Sequence, residues 1–348
     1  MIFNSFNRIY WPTSEWKTIE NKEKEYNTKI FQPLEHEIKS KYKNLNGIMI
    51  VKNGYMAYER YFSNFTAEDS HHVASVTKSI ISVLIGIAIA QGHIESKEQK
   101  VLDFFPEYKT STTDFMKRKI TIKHLLTMSV PYAWKTGARG FEPLDRLRRQ
   151  KNWIKYILDN MGKNGQLGDF NYSTAGVHLL SAIITRTTNK TACEFANQYL
   201  FAPIGMQTIP DREMKSFKLD DVFGKNLKGW AKDPDGNSTG GWGITLTIRD
   251  MARFGFLYLN GGKWEEKQLI PQKWIEESLS ENTKDYGYLW WMRKDKEPYI
   301  YAALGSGGNA IYIIPEKDMV IAIASQIKVK SNDPWELIDD FILPVFES

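Results

Sequence analysis

No feature of the 348-residue chain constrains its fold more than the run from His71 to Gly92, HHVASVTKSIISVLIGIAIAQG. From Ile80 to Ala90 nearly every residue is apolar or small, which predicts one buried helix, and Gly92 is a natural C-terminal stop. The run is too short to span a bilayer, which needs about 20 apolar residues. Just ahead of it stand Ser75 and Lys78, three positions apart, so a helix places them on one face about a turn apart. A serine hydroxyl is a weak nucleophile until a base takes its proton, and a neutral lysine can be that base. Burying an ammonium against apolar surface favours the neutral amine.

The spacing is common. S-x-x-K occurs four times, beginning at Ser14, Ser40, Ser75 and Ser325. The first two lie in charged, solvent-facing sequence, and the fourth follows a strand-like run, where a three-residue spacing does not share a helical turn. Only Ser75 opens a long apolar helix, the context this chemistry needs. The bland alternative is Ser75 as a helix cap and Lys78 as a solvated first-turn lysine.

The length predicts two lobes rather than one minimal core. Hydrophobic content of 42% and charged content of 25% suit a soluble globular protein. Eleven Trp and 17 Tyr suggest large cores or an aromatic-lined cleft. The net charge of +5 is small and no basic block stands out, so neither nucleic acid nor a membrane is an expected partner. The single cysteine, Cys193, excludes an internal disulfide and reads as a small buried hydrophobe. The first 27 residues have no basic segment followed by an apolar one, so a cytoplasmic location is expected.

Taken in order, residues 1–19 read as an aromatic arm on the body, and residues 20–43 as a surface helix with Ile30, Leu34 and Ile38 on its inner stripe. Asn53-Gly54 between two β-rich runs, 47–52 and 55–62, is a hairpin signal. From 96 to 239 helical periodicity dominates, at 120–129, 152–161 and 175–188; another amphipathic helix covers 246–259. The chain end returns to strands at 286–293, 299–306, 309–315 and 319–327, joined by short links that imply an antiparallel meander, and a helix at 334–342 closes it. The fold class expected is α+β. An antiparallel sheet flanked by helices, from residues 1–95 and 240–348, carries an inserted, mostly helical lobe, 96–239.

Two more segments could join a site. In Asp169-Phe-Asn-Tyr-Ser-Thr174, Tyr172 stands at the mouth of a helix, where the dipole and nearby cations favour a phenolate; the plain alternative is a helix entry capped by Ser173 or Thr174. Ala303-Leu-Gly-Ser-Gly-Gly308 interrupts a strand with glycines, as happens where a ligand approaches the backbone or where a strand simply turns.

In this order, SVTK at 75, FNYST at 170 and LGSGG at 304, the segments resemble those of the serine β-lactamase and penicillin-binding-protein superfamily. The nearer similarity is to its class C-like branch of esterases, DD-peptidases, D-aminopeptidases and 6-aminohexanoate-dimer hydrolases. The resemblance extends over residues 45–327 and includes ITIKHLLTMS, TIRDMARFGFLYLNGG and YGYLWW. It implies a β-lactamase/transpeptidase-like fold with the site between sheet and helical lobe, and it implies roles. Ser75 is then the acyl-accepting nucleophile, Lys78 its base and Tyr172 the proton shuttle to the leaving group. The backbone N–H groups of Ser75 and Ser306 form the oxyanion hole. Thr174, Trp242, Gly305, Gly307, Gly308 and Asn309 border the substrate cleft.

Two departures matter. The position two after the tyrosine is often Asn in the family and is Thr174 here; where β-lactamases carry Lys-Thr-Gly, this chain aligns Ala303-Leu304-Gly305. A cation for a substrate carboxylate is therefore missing. The expected activity is a cofactor-free serine hydrolase acting through an acyl-enzyme on a small ester or amide and poor on β-lactams. The alternatives are a silent penicillin-binding-like sensor or scaffold and a DD-peptidase or β-lactamase.

Other motifs are set aside. Gly236-Asn-Ser-Thr-Gly240 matches the G-x-S-x-G elbow, but it follows a loop and does not open a helix. His71 and His72 are adjacent and the remaining histidines are single, so no metal site is expected. His124 and His178 read as satisfied core histidines on apolar helix faces.

Overall fold

The computed structural model describes residues 8–19, 28–134, 142–216, 218–224, 227–280, 285–327 and 331–346. Helix α1, Gln32–Lys41, leads into strands β1, Leu45–Lys52, and β2, Tyr55–Tyr61. The short strand β3, His71–His72, feeds helix α2, Val76–Ala90. Five helices follow: α3 (Ile122–Leu126), α4 (Leu144–Arg148), α5 (Trp153–Asn160), α6 (Thr174–Thr188) and α7 (Ala192–Ala196). Next come strand β4, Asp211–Arg212, helix α8, Leu219–Phe223, and the two-residue strands β5, Trp230–Ala231, and β6, Thr245–Leu246. Helix α9, Ile248–Leu259, the pair β7, Lys263–Trp264, and β8, Lys267–Gln268, and helix α10, Gln272–Ser278, precede the closing strands. These are β9 (Trp291–Arg293), β10 (Ile300–Gly305), β11 (Asn309–Ile314) and β12 (Met319–Ser325).

Six strands form one antiparallel sheet in the order β2-β1-β12-β11-β10-β9, so both ends of the chain build it. Alternation along each strand sends side chains to two cores. Met49, Val51, Ala303, Ile311 and Val320 face α2 and α9. Ile48, Ile50, Ala302, Tyr312 and Ile321 face α1 and the closing helical segment from Trp335. The expected α+β class, a sheet flanked by helices, is what the structure shows.

The hairpin turn lies at Asn53-Gly54, both with positive φ (54° and 85°), as a two-residue connection requires. Cys193 is buried, and burial pushes its thiol pKa up. Among the described residues no helix is long and apolar enough to cross a membrane.

Three local expectations change. In the helix expected over 20–43, residues 20–27 lie outside the described residues. Thr28–Phe31 is a 3-10 turn, and α1 starts at Gln32 with Pro33 in its first turn. The inner stripe is therefore Phe31, Leu34 and Ile38, all buried, while Ile30 is exposed. The strand expected at 286–293 shrinks to Trp291–Arg293 because its backbone bonds lead elsewhere: Tyr288 N–H donates to Ser278 O and Leu289 N–H to Leu126 O. His124 is not a core histidine; half-buried, it accepts the Thr121 N–H and caps α3.

Candidate active site

The chain reaches Ser75 through an unusual bend. Val73 N–H still bonds across to Ile244 O. Ala74, with φ +50°, then turns into the left-handed region, which costs an alanine about 1–3 kcal/mol. His72 Nδ1 accepts the Ala74 N–H at 3.1 Å, and Thr77 Oγ1 donates to Ala74 O at 2.7 Å. Held on both sides, the bend sets Ser75 at the N-cap of α2. Every residue from Val76 to Ala88 is buried, so the helix beneath is fixed by its own core.

Lys78 is 1% exposed although its amine is a polar, strongly hydrated group. Such a group must find partners. Its Nζ lies 2.8 Å from Ser75 Oγ and 2.8 Å from the backbone oxygen of Gly241. It also stands 5.0 Å from the centre of the Tyr172 ring. The three residues expected to form the site therefore converge on one amine. The other S-x-x-K serines do not repeat this: Ser14 and Ser40 are exposed, and Ser325 ends a buried strand, with Lys328 outside the described residues.

Tyr172 sits just ahead of α6. Ser173 is the N-cap, its Oγ accepting the Gly176 N–H at 3.1 Å. Glu142, which the sequence did not single out, supports this entry: its carboxylate accepts the N–H groups of Thr174 (2.7 Å) and Ala175 (2.6 Å) and the Ser173 hydroxyl (2.8 Å). A carboxylate there also complements the helix dipole. The Tyr172 ring stacks on Trp291 at 5.9 Å and meets the edge of Tyr286 at 6.2 Å. Burial, and then the nearby Tyr172, push the Tyr286 phenol well above its ordinary pKa, so Tyr286 stays a neutral wall. A strand of aromatic sequence hid this wall, because only its last residues enter the sheet.

Gly305 ends β10 directly beside Ser75. A Cβ there would crowd Val73 O and lie 3.2 Å from Ala74 Cβ and from Ser75 N. The strand end that carries Ser306 therefore passes next to the Ser75 amide, as an oxyanion pair requires. The remaining cleft candidates separate. Thr174 packs on Gly241, whose oxygen holds Lys78. Trp242 lies near His72 and Phe223. Asn309 is wholly buried, its side chain donating to Ser306 O and accepting from Ser325 N, so it braces the turn behind the cleft. Side chains at Gly307 and Gly308 would meet Gln326, Ile327 and Pro334 rather than Ser75.

A buried amine bound to a helix-capping serine, with a tyrosine beside it and a glycine strand end against the serine amide, is equipment for acyl transfer. The family model for beta-lactamase matches residues 40–339. The chain belongs to the beta-lactamase family. It is a serine hydrolase of that family.

Similar proteins spread over several hydrolases of this family. The 6-aminohexanoate-dimer hydrolase of Paenarthrobacter ureafaciens is 22% identical over 329 residues, covering 86% of this chain and 76% of its own. A solved Bacillus anthracis protein, provisionally named a 6-aminohexanoate-dimer hydrolase, superposes with a TM-score of 0.73 at 23% identity, over 99% of this chain and 89% of its own. A family VIII carboxylesterase superposes with a TM-score of 0.67 at 16% identity, over 93% and 98%. At these identities the superpositions show a shared fold.

Proposed function

We propose that the protein hydrolyses a small ester or amide through an acyl-enzyme on Ser75. The observation that carries this is the 2.8 Å contact between the buried Lys78 Nζ and the half-buried Ser75 Oγ. As a neutral amine, Lys78 keeps its hydrogen bond to Gly241 O and turns its lone pair to the Ser75 hydroxyl. Ser75 Oγ attacks the substrate carbonyl carbon while its proton passes to Lys78. The oxyanion that forms faces the N–H groups of Ser75 and Ser306. The intermediate collapses as the bond to the leaving alcohol or amine breaks, and Tyr172 hands that group a proton, replenished from Lys78. Water then attacks the acyl carbon, giving up a proton to the same pair, and Ser75 is released with the acid as product.

Two features favour small neutral substrates over β-lactams. Ala303 and Leu304 supply neither charge nor hydroxyl at the edge of β10, and Thr174 replaces an amide side chain with a smaller hydroxyl. A desolvated substrate carboxylate without a partner costs several kcal/mol. The relative from Paenarthrobacter ureafaciens is named for an amide-type dimer and the solved carboxylesterase for esters, and both suit this substrate range. A fluorophosphonate probe tests the proposal: it labels the wild type and not Ser75→Ala. Equal labelling of both proteins overturns it.

A further inference from the structure

The loop that matches a hydrolase elbow in sequence has another use. Asp233 is 3% exposed, and its two oxygens have separate duties. Oδ1 accepts the backbone N–H groups of Asp235 at 2.9 Å and Asn237 at 2.8 Å. Oδ2 accepts the Asn237 side-chain amide at 3.0 Å and faces His178 Nε2 at 2.9 Å. Burial opposes a charge here, but the bonds from His178 and Asn237 outweigh it and hold the Asp233 carboxyl below the ordinary range.

A carboxylate only accepts hydrogen bonds, so His178 Nε2 carries a proton, and a backbone donor aimed at Nδ1 requires that nitrogen to be the acceptor. Nδ1 is filled by the Gly240 N–H at 3.2 Å. The next residue is Gly241, whose oxygen binds Lys78 Nζ at 2.8 Å. Both glycines lie flat on the first turns of α6. A side chain on Gly240 would run into Val177 O and the His178 backbone, and one on Gly241 into Thr174. Helix α6 thus supports Tyr172 at its mouth and, through His178, the carbonyl that holds the lysine.

We propose that Asp233 and His178 are a positioning pair for Lys78. The carboxylate fixes the imidazole tautomer, the imidazole holds the Gly240 N–H, and the Gly240–Gly241 backbone aims its oxygen at Nζ. This rests on Lys78 being the base for Ser75. Without that oxygen Nζ keeps only the Ser75 hydroxyl and the face of the Tyr172 ring, and turns away from Ser75 in part of the population.

Three near-isosteric variants test the pair. In His178→Asn the amide oxygen replaces Nδ1 and the link to Asp233 is cut. In His178→Gln the amide nitrogen replaces Nε2 and the acceptor for Gly240 is lost. In Asp233→Asn the two backbone donors keep the amide oxygen at the Oδ1 position, which turns the NH₂ group toward His178, reverses the tautomer and sets Nδ1–H against Gly240 N–H. With p-nitrophenyl butyrate, kcat in His178→Gln and in Asp233→Asn falls about 10²-fold with KM little changed, the cost of a misplacement of order 1 Å. His178→Asn stays within about fivefold of wild type, although its melting temperature drops because a buried carboxylate has lost a partner. A purely structural pair gives the opposite order, with activity following stability. Crystal structures of the variants provide a readout independent of turnover: the Gly241 O to Lys78 Nζ contact survives in His178→Asn and opens in His178→Gln. If Ser75→Ala retains full turnover, the role of Lys78 as base falls, while this contact still decides the relay. Wild-type kcat in a folded His178→Gln, or an unchanged contact in its crystal structure, overturns the pair. Should His178→Gln fail to fold, Asp233→Asn decides on the same readouts.

Discussion

Lys78 Nζ lies 2.8 Å from Ser75 Oγ, one helical turn away, so that a buried amine meets a half-buried hydroxyl at the mouth of the helix. The Tyr172 ring stands 5.0 Å from the same Nζ, and on the proposed mechanism proton transfers among the three groups form one unit. Ser75→Ala, Lys78→Ala and Tyr172→Phe should therefore each lower kcat for an ester by about 10³-fold or more, and any double variant by little more than the worst single one. Steady-state kinetics of the three singles and Lys78→Ala/Tyr172→Phe check this. Multiplying losses in the double variant would mean independent roles.

Gly305 is the second constraint. An added methyl would crowd Val73 O and the Ser75 amide. Either the strand end or Ser75 must shift, and the two amides proposed to meet the oxyanion separate. Gly305→Ala should cost about 10² in kcat, the scale of one lost oxyanion donor, with a smaller change in KM. Kinetics with a folded Gly305→Ala protein are the check, and an unchanged kcat would remove this strand end from the oxyanion site.

The bend before Ser75 ties stability to pH. His72 is buried, and burial, helped by the charge of Arg212, pulls its pKa down to about 3. In the unfolded chain a histidine titrates near 6.5. Between these values the unfolded state binds a proton that the folded state does not. Stability is thus fully present above about pH 6.5 and falls by about 1.4 kcal/mol per pH unit below it, until the folded state also protonates. His72→Asn keeps an acceptor for Ala74 N–H and has no titrating ring. Urea unfolding at pH 7.5 and pH 5 should show a shallower loss in the variant; equal losses would place the acid sensitivity elsewhere.

How much of this was legible varies with range along the chain. The helix from Val76 and its serine–lysine pair follow from local spacing and a long apolar run. The sheet meander follows from short links. Tyr172 was ambiguous from local sequence and took a role only through family resemblance. The third partner of Lys78 is a backbone oxygen at Gly241, 163 positions away, and a backbone atom leaves no residue-type signal. His178 read as a satisfied core histidine, and it is one; what satisfies it, Asp233 and Gly240, lies in a loop that only tertiary packing brings near. Segment 286–290 misled because aromatic residues favour strands, whereas its backbone is bonded to Ser278 and Leu126.

Substrate choice follows from the same geometry. The proposed oxyanion donors are backbone groups that would serve any acyl carbon, while Ala303 and Leu304 of β10 carry no charge to meet a carboxylate. Turnover of p-nitrophenyl acetate and butyrate should exceed that of nitrocefin, in kcat/KM, with Ser75→Ala as the blank. A larger value for nitrocefin than for both esters would contradict the proposed cleft chemistry.

Acylation of Ser75 is read directly from the intact mass of the protein quenched seconds after mixing with an ester whose acyl group deacylates slowly. The expected result is a mass increase equal to one acyl group, mapped by peptide digestion to Ser75, absent in Ser75→Ala and greatly slowed in Lys78→Ala. Ester turnover with the adduct on another residue, or with an adduct that persists in Ser75→Ala, would contradict it.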